Sequence, residues 1–202
     1  RREKVIGVPT DTIYGLAASA CSEKGIQRLY EAKQRAYHVP LAVCVGEASD
    51  VSKYADVAHL NPGLLEELLP GPVTLLLRKK TDDNPLSKAL NPDAALVGVR
   101  VPDSEFIRAV SRAYGHAIAL TSANQSGQPS TLAVEEFEHL WSECACVFDG
   151  GRIAATRSGS TIVDLSVPGE FSVKRAGEAC EAIQETLRRY GIERKQVPGE
   201  GE

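Results

Sequence analysis

The chain has no methionine and only one tryptophan among its 202 residues, and no apolar run approaches the length of a membrane span. The last absence excludes a helical membrane anchor within this sequence. Methionine is missing even at the first position, so the natural start is expected to lie upstream. A targeting segment removed with it would allow a mitochondrial or plastid location beside the cytoplasmic one expected here. The five cysteines are odd in number and irregularly spaced, and no signal peptide precedes them. They read as free thiols in a reducing compartment rather than as a disulfide framework. Cys144-Ala-Cys146 has no second ligand pair and His139 alone does not complete a zinc site, so no metal site is expected and these cysteines read as small buried hydrophobes. A P-loop is excluded because no Gly-x-x-x-x-Gly-Lys-Ser/Thr occurs, and Gly-x-Gly-x-x-Gly is absent too. Ser122-Ala123-Asn124 shares Ser-x-Asn with penicillin-recognising enzymes, but neither Ser-x-x-Lys nor Lys-Thr-Gly accompanies it. The net charge of −4 and a pI near 5.7 exclude a surface coated in basic residues, while leaving room for a local basic concavity.

What is present is an ordinary globular composition, 43% hydrophobic and 25% charged, with enough length for one sizeable core. One domain is expected over residues 1–190, followed by a flexible polar tail over 191–202. Strand-like and helix-like patterns alternate. Residues 4–8, 41–45, 73–77, 96–101, 117–120, 146–148, 160–165 and 171–174 read as strands. Helices are expected over 22–33 with Ser22 as N-cap, over 63–69 with Pro62 at the first helical position, after Asp103 as its cap, near 134–141 and over 178–190. Mixed elements without a repeat indicate an α/β or α+β domain.

Polar clusters sit where the apolar strands end. Thr10-Asp11-Thr12 follows the first strand, and Lys33-Gln34-Arg35 comes 21 residues after Thr12, at the end of a helix. Arg100 closes another strand, Thr121-Ser122-Ala123-Asn124 follows the next, Ser158-Gly159-Ser160-Thr161 opens one, and Lys174-Arg175 closes the last. Ligands of open α/β sheets bind in the crevice outside such strand ends. Each cluster also has a bland explanation. Arg100 could be a solvated rim charge, Ser122-Ala123-Asn124 a turn, Ser160-Thr161 strand filling, and Lys33-Gln34-Arg35 a charged last helical turn.

Taken together, the clusters resemble the YrdC family of threonylcarbamoyl-AMP synthases. The resemblance runs from Pro9-Thr10-Asp11-Thr12-x-Tyr14-Gly15-Leu16 to Arg175-x-Gly177. Between them lie Lys33-x-Arg35, Pro40-Leu41, Leu69-Pro70-Gly71-Pro72-Val73-Thr74, Gly98-Val99-Arg100-x-Pro102, Ser122-Ala123-Asn124-x-Ser126-Gly127 and Gly159-Ser160-Thr161-Ile162-Val163-Asp164. It implies an α/β fold with a twisted mixed sheet, flanking helices and a deep basic cavity. By position, Thr12, Arg100, Ser122 and Ser160 would hold threonine, with Cys44 a further pocket candidate where many members carry histidine. Arg35, Asn124 and Arg175 would contact ATP, and Val39, Leu96 and Leu132 would complete the nucleotide site. Lys33 and Arg35 would be the catalytic cations. The chain departs from the family pattern at Val39, Cys44, Ala176 and Gln34.

The implied reaction joins L-threonine, bicarbonate and ATP, with Mg²⁺ entering on the nucleotide, into threonylcarbamoyl-adenylate and pyrophosphate. This makes the chain a nucleotidyltransferase. A tRNA-modifying transferase, of the KEOPS type or its organellar equivalent, would consume the product. Two alternatives stand beside it: a noncatalytic RNA-binding domain using the same cavity, with weak RNA affinity, and carbamoyl-adenylate chemistry with another carbamoyl donor.

Overall fold

A computed structural model describes residues 3–34, 39–153 and 156–195. Ten strands form one mixed sheet in the order β10-β9-β8-β4-β5-β3-β6-β2-β1-β7. They are β1 (Val5–Val8), β2 (Gly15–Ser19), β3 (Ala42–Cys44), β4 (Val73–Arg78), β5 (Leu96–Arg100), β6 (Ile118–Ser122), β7 (Cys144–Val147), β8 (Thr161–Asp164), β9 (Glu170–Arg175) and β10 (Glu193–Arg194). Among the described residues four α-helices accompany them: α1 (Glu23–Ala32), α2 (Leu64–Leu68), α3 (Glu105–Tyr114) and α4 (Cys180–Arg189).

Residues alternate between the two faces of a sheet, so one face can be packed while the other is left for a ligand. Val43, Val97, Val99, Leu75, Leu77 and Val163 point into the main core. There they join Ile26, Leu29 and Tyr30 of α1, Leu64 and Leu68 of α2, and Ile183 and Leu187 of α4. The opposite face is covered over only part of its width. Ile107 of α3 lies there with Val8, Ala17, Cys44, Ile118 and Leu120 in a second, smaller core. Further along the same face Ala42, Leu76, Ile162 and Leu96 stay half-buried.

Several element ends differ from expectation for local reasons. Ser22 does cap α1, its Oγ accepting from the Gly25 N–H at 3.2 Å. Pro62 is not the first residue of α2; Gly63 takes the N-cap in a left-handed conformation, φ 85°, which a glycine adopts without steric cost. Ser104 rather than Asp103 caps α3. Residues 134–143 wind as 3₁₀ helix broken at Phe137, not as an α-helix. The polar tail was expected from residue 191, yet Ile192 is buried and β10 pairs in parallel with β9. Beside the buried Ile192, the Glu193 N–H bonds the Gly169 carbonyl at 2.9 Å and the Lys195 N–H bonds the Phe171 carbonyl at 2.8 Å. Cys146 is exposed and Cys144 half-buried on the edge strand β7, so neither is the fully buried hydrophobe expected.

Candidate active site on the open face of the sheet

The register places the polar residues on one face of the sheet. Directly opposed residues in neighbouring strands share a face. Arg100 lies opposite Cys44, Gly98 opposite Ala42 and Leu76, and Leu96 opposite Arg78. Ser122 lies opposite Gly15, Ile162 opposite Thr74 and Arg175. Arg100, Leu96, Ser122 and Arg175 therefore rise from one face, with Ser160 joining them two residues before Ile162. Gly98 keeps the floor low: a Cβ there would come within 3.1 Å of Thr74 Cγ2 and 3.3 Å of Leu76 Cδ2.

Three hydrogen-bonded groups hold these residues. In the first, Thr10 Oγ1 donates to the Ile13 carbonyl at 2.7 Å and accepts from the Thr12 and Ile13 N–H groups at 3.2 and 3.3 Å. That turn aims Asp11 and Thr12 at Arg100, whose Nη2 reaches Asp11 Oδ1 at 2.6 Å and Thr12 Oγ1 at 3.4 Å. Burial pushes the Asp11 carboxyl up, while Arg100 and the Asp103 N–H pull it back.

The second group is built on Lys33, which is only 2% exposed. Its Nζ donates to the Ser122 carbonyl at 2.7 Å, to Ser122 Oγ at 3.3 Å, to Asn124 Oδ1 at 3.1 Å and to the Asn124 carbonyl. Asn124 Nδ2 donates in turn to the Gln125 and Gln128 carbonyls at 2.9 and 2.5 Å, closing the turn after β6. A cavity of about 790 Å³ opens beside it, lined by Asn124, Gln128, Thr131, Glu136, His139 and Arg157 among others. That is within the range of small-molecule sites.

In the third group Ser160 Oγ pairs with Thr74 Oγ1 at 2.8 Å, and Arg175 Nη2 donates to the Ser160 carbonyl at 2.7 Å.

The remaining expected residues fall around these groups. Leu132 is buried, its N–H held by Glu136 Oε2 at 3.0 Å and its carbonyl by the Ile153 N–H at 3.1 Å. Leu96 opens β5 half-buried, and the Val39 carbonyl accepts from Tyr30 Oη at 3.2 Å. Cys44 lies fully buried in the smaller core on the Arg100 side, and burial pushes its thiol up to about 12, so it stays protonated. Arg35 lies outside the described residues. Sequence reasoning did not single out Asp11, Thr74 and Glu136 as site members. The first two sit inside quoted motifs. Glu136 had no signal, because its arginine partners Arg152 and Arg157 lie on another segment.

Glu136 offers a pH test. Arg157 holds its carboxyl down to about 2. The folded value is depressed, so its stabilisation is complete above the ordinary carboxylate range and disappears as pH falls from about 4.5 towards 2. Glu136→Gln should flatten the acid limb of the melting curve over that window and leave stability at pH 7–8 lowered. An unchanged acid limb would show that the pair contributes nothing, as exposed pairs often do.

Comparison with known proteins places the chain among related sequences. The Sua5/YciO/YrdC family model, described as telomere recombination, matches residues 1–177. The chain is 45% identical over 197 residues to the Bos taurus threonylcarbamoyl-AMP synthase, covering 95% of this chain and 70% of that protein. It is 44% identical over 198 residues to the Homo sapiens protein of the same name, with the same coverage. Its fold matches the crystal structure of Pyrococcus abyssi Sua5 complexed with L-threonine, TM-score 0.81 at 28% identity, over 97% of this chain and 58% of that one. The chain thus spans under three-fifths of that longer protein.

Proposed function

The chain belongs to the Sua5/YciO/YrdC family, and on that premise we propose that it is a threonylcarbamoyl-AMP synthase, using L-threonine, bicarbonate and ATP. The observation that supports this most is the shared sheet face, where hydroxyls of Thr12, Ser122 and Ser160 lie with the guanidinium groups of Arg100 and Arg175. Hydroxyls and an arginine suit the polar ends of an amino acid, since guanidinium can grip both carboxylate oxygens. In this reading Asn124, Leu132, Val39 and Leu96 would flank the nucleotide end and Arg175 would meet its phosphates, a role also expected of Arg35, which lies outside the described residues. Magnesium is best written as part of the Mg-ATP substrate.

The chemistry needs no protein nucleophile. The threonine amine attacks the bicarbonate carbon and water leaves, giving a carbamate. A carbamate oxygen then attacks the α-phosphorus of ATP, and the bond to the bridging oxygen breaks to release pyrophosphate. The protein's share is to hold these anionic groups in line and offset their repulsion. The product, a mixed anhydride, suits a tRNA-modifying transferase as its consumer.

The test is to incubate the chain with Mg-ATP, bicarbonate and labelled threonine and to identify the adenylate by mass. Pyrophosphate release dependent on both threonine and bicarbonate is expected. Salt-sensitive RNA affinity without that release would favour the binding-domain alternative. Serine should be a poor substitute, its kcat/KM lower by roughly 10–200-fold for the missing methyl. Equal kcat/KM for the two amino acids would show that the pocket does not fill that methyl.

A further inference from the structure

Arg100 carries a buried carboxylate partner, Asp11. Both side chains of the Arg100–Asp11 pair are more than nine-tenths buried. Asp11 Oδ1 accepts from Arg100 Nη2 at 2.6 Å, and Asp11 Oδ2 accepts from the Asp103 N–H at 3.0 Å. The Nε of the same guanidinium is buried and has no hydrogen-bond partner among the described residues. An unmet buried donor is rare and calls for a reason. Here the reason is position, because the Nε belongs to the arginine on the open face beside Thr12.

We propose that Asp11 is a positioning residue for amino-acid recognition, fixing the guanidinium through Nη2 so that the Arg100 Nε–H is held for a carboxylate oxygen of the substrate. This rests on the threonine-dependent reading above. A free arginine side chain has several torsions to lose on binding. Asp11 removes that loss beforehand, and the Asp103 N–H in turn fixes Asp11 against the turn that follows β5. The pair also makes the pocket selective by charge. An unpaired arginine would attract phosphate as readily as carboxylate. With Asp11 beside it the site is nearly neutral and presents a cation and an anion side by side, matching the carboxylate and ammonium of a zwitterion. A triphosphate meets no net attraction there.

The experiment is a double-mutant cycle with Asp11→Asn and Arg100→Gln, read as kcat and KM for threonine and for ATP. Asp11→Asn alone should raise the threonine KM about 10–100-fold while the ATP KM stays near the wild-type value, and the melting temperature should fall because the buried guanidinium loses its partner charge. In the Arg100→Gln background the same substitution should change the threonine KM less than twofold, because Asp11 acts through Arg100. An unchanged threonine KM in the single variant would overturn the inference. So would an equal loss in both backgrounds, which a merely structural role would give. Should the asparagine variant fail to fold, the cycle is run with Asp11→Glu, which keeps the charge but moves it, and the same coupling is expected. A wild-type chain that releases no threonine-dependent pyrophosphate would overturn the proposed function, and this inference with it. A threonine-dependent wild type with an insensitive Asp11 variant would overturn the inference alone.

Discussion

Lys33→Met is expected to lower both the melting temperature, by roughly 5–15 °C, and the turnover, by at least 10². The substitution keeps the length and apolar stem of the side chain and deletes the ammonium. Four acceptors then lose it: the carbonyls of Ser122 and Asn124, Ser122 Oγ and Asn124 Oδ1. Each buried acceptor left unmet costs about 1–3 kcal/mol. Water can reach some of them, which keeps the total near the lower end. For a domain of this size 1 kcal/mol moves the melting temperature by about 2–4 °C. Turnover falls because the released segment carries Ser122 and Asn124, and a shift of about 1 Å in positioning groups costs on the order of 10² in rate.

Two roles for Lys33 make different predictions. A lysine that served the phosphates alone would lose turnover on substitution without loss of stability. A lysine that anchors the turn after β6 loses both together. Differential scanning fluorimetry beside a pyrophosphate-release assay separates the two. Lys33→Arg should not restore either property, because a planar guanidinium cannot meet acceptors arranged around a compact ammonium.

Lys33 also shows where the sequence stops being informative. A lysine in the last turn of a helix is ordinarily a solvated charge that complements the helix dipole. Nothing in residues 22–35 says that the chain 89 residues on will fold its carbonyls around that ammonium. The Asp11–Arg100 pair is equally non-local, again 89 residues apart. What was legible was local: strand ends followed by clusters of Thr, Ser, Asn and Arg, in one order. Strand β2 went unread for the opposite reason. Gly15-Leu16-Ala17-Ala18-Ser19 has weak strand propensity, yet it is buried along its whole length between β6 and β1. Small residues are needed there because the sheet is tight: a Cβ on Gly15 would come within 2.7 Å of Leu120 Cδ1. Packing overrode propensity, as it often does in central strands. The same strand carries the chain from the Thr10–Thr12 turn back across the sheet, so missing it hid how that turn reaches Arg100.

Gly177→Ala is expected to disable the opposite side of the site. A Cβ at position 177 would overlap the Gly159 carbonyl oxygen and lie 2.7 and 2.8 Å from the Ser160 carbonyl carbon and oxygen. All three are backbone atoms, so no rotamer change relieves the overlap. The two segments must separate by about 1 Å, at the upper end of the roughly 1–3 kcal/mol typical of overpacking. Separation also pulls on the Glu178 N–H, which bonds the Gly159 carbonyl at 3.0 Å, and on the Gly177 N–H, which bonds Thr161 Oγ1 at 3.0 Å. Ser160 then moves relative to Thr74 and Arg175, so turnover should fall by about 10² or more with a visible loss of thermal stability. Gly159→Ala provides the contrast. Its Cβ would meet Arg175 Nη2 at 2.9 Å, the far end of a flexible side chain. The guanidinium can swing aside, so the melting temperature should hold while the KM for ATP rises as Arg175 leaves its place. If instead Gly177→Ala behaved like wild type, the Ser160–Arg175 corner would be far looser than its hydrogen bonds indicate. Equal thermal losses in the two variants would mean that the side chain of Arg175, not the backbone contact beneath it, sets the stability of that corner.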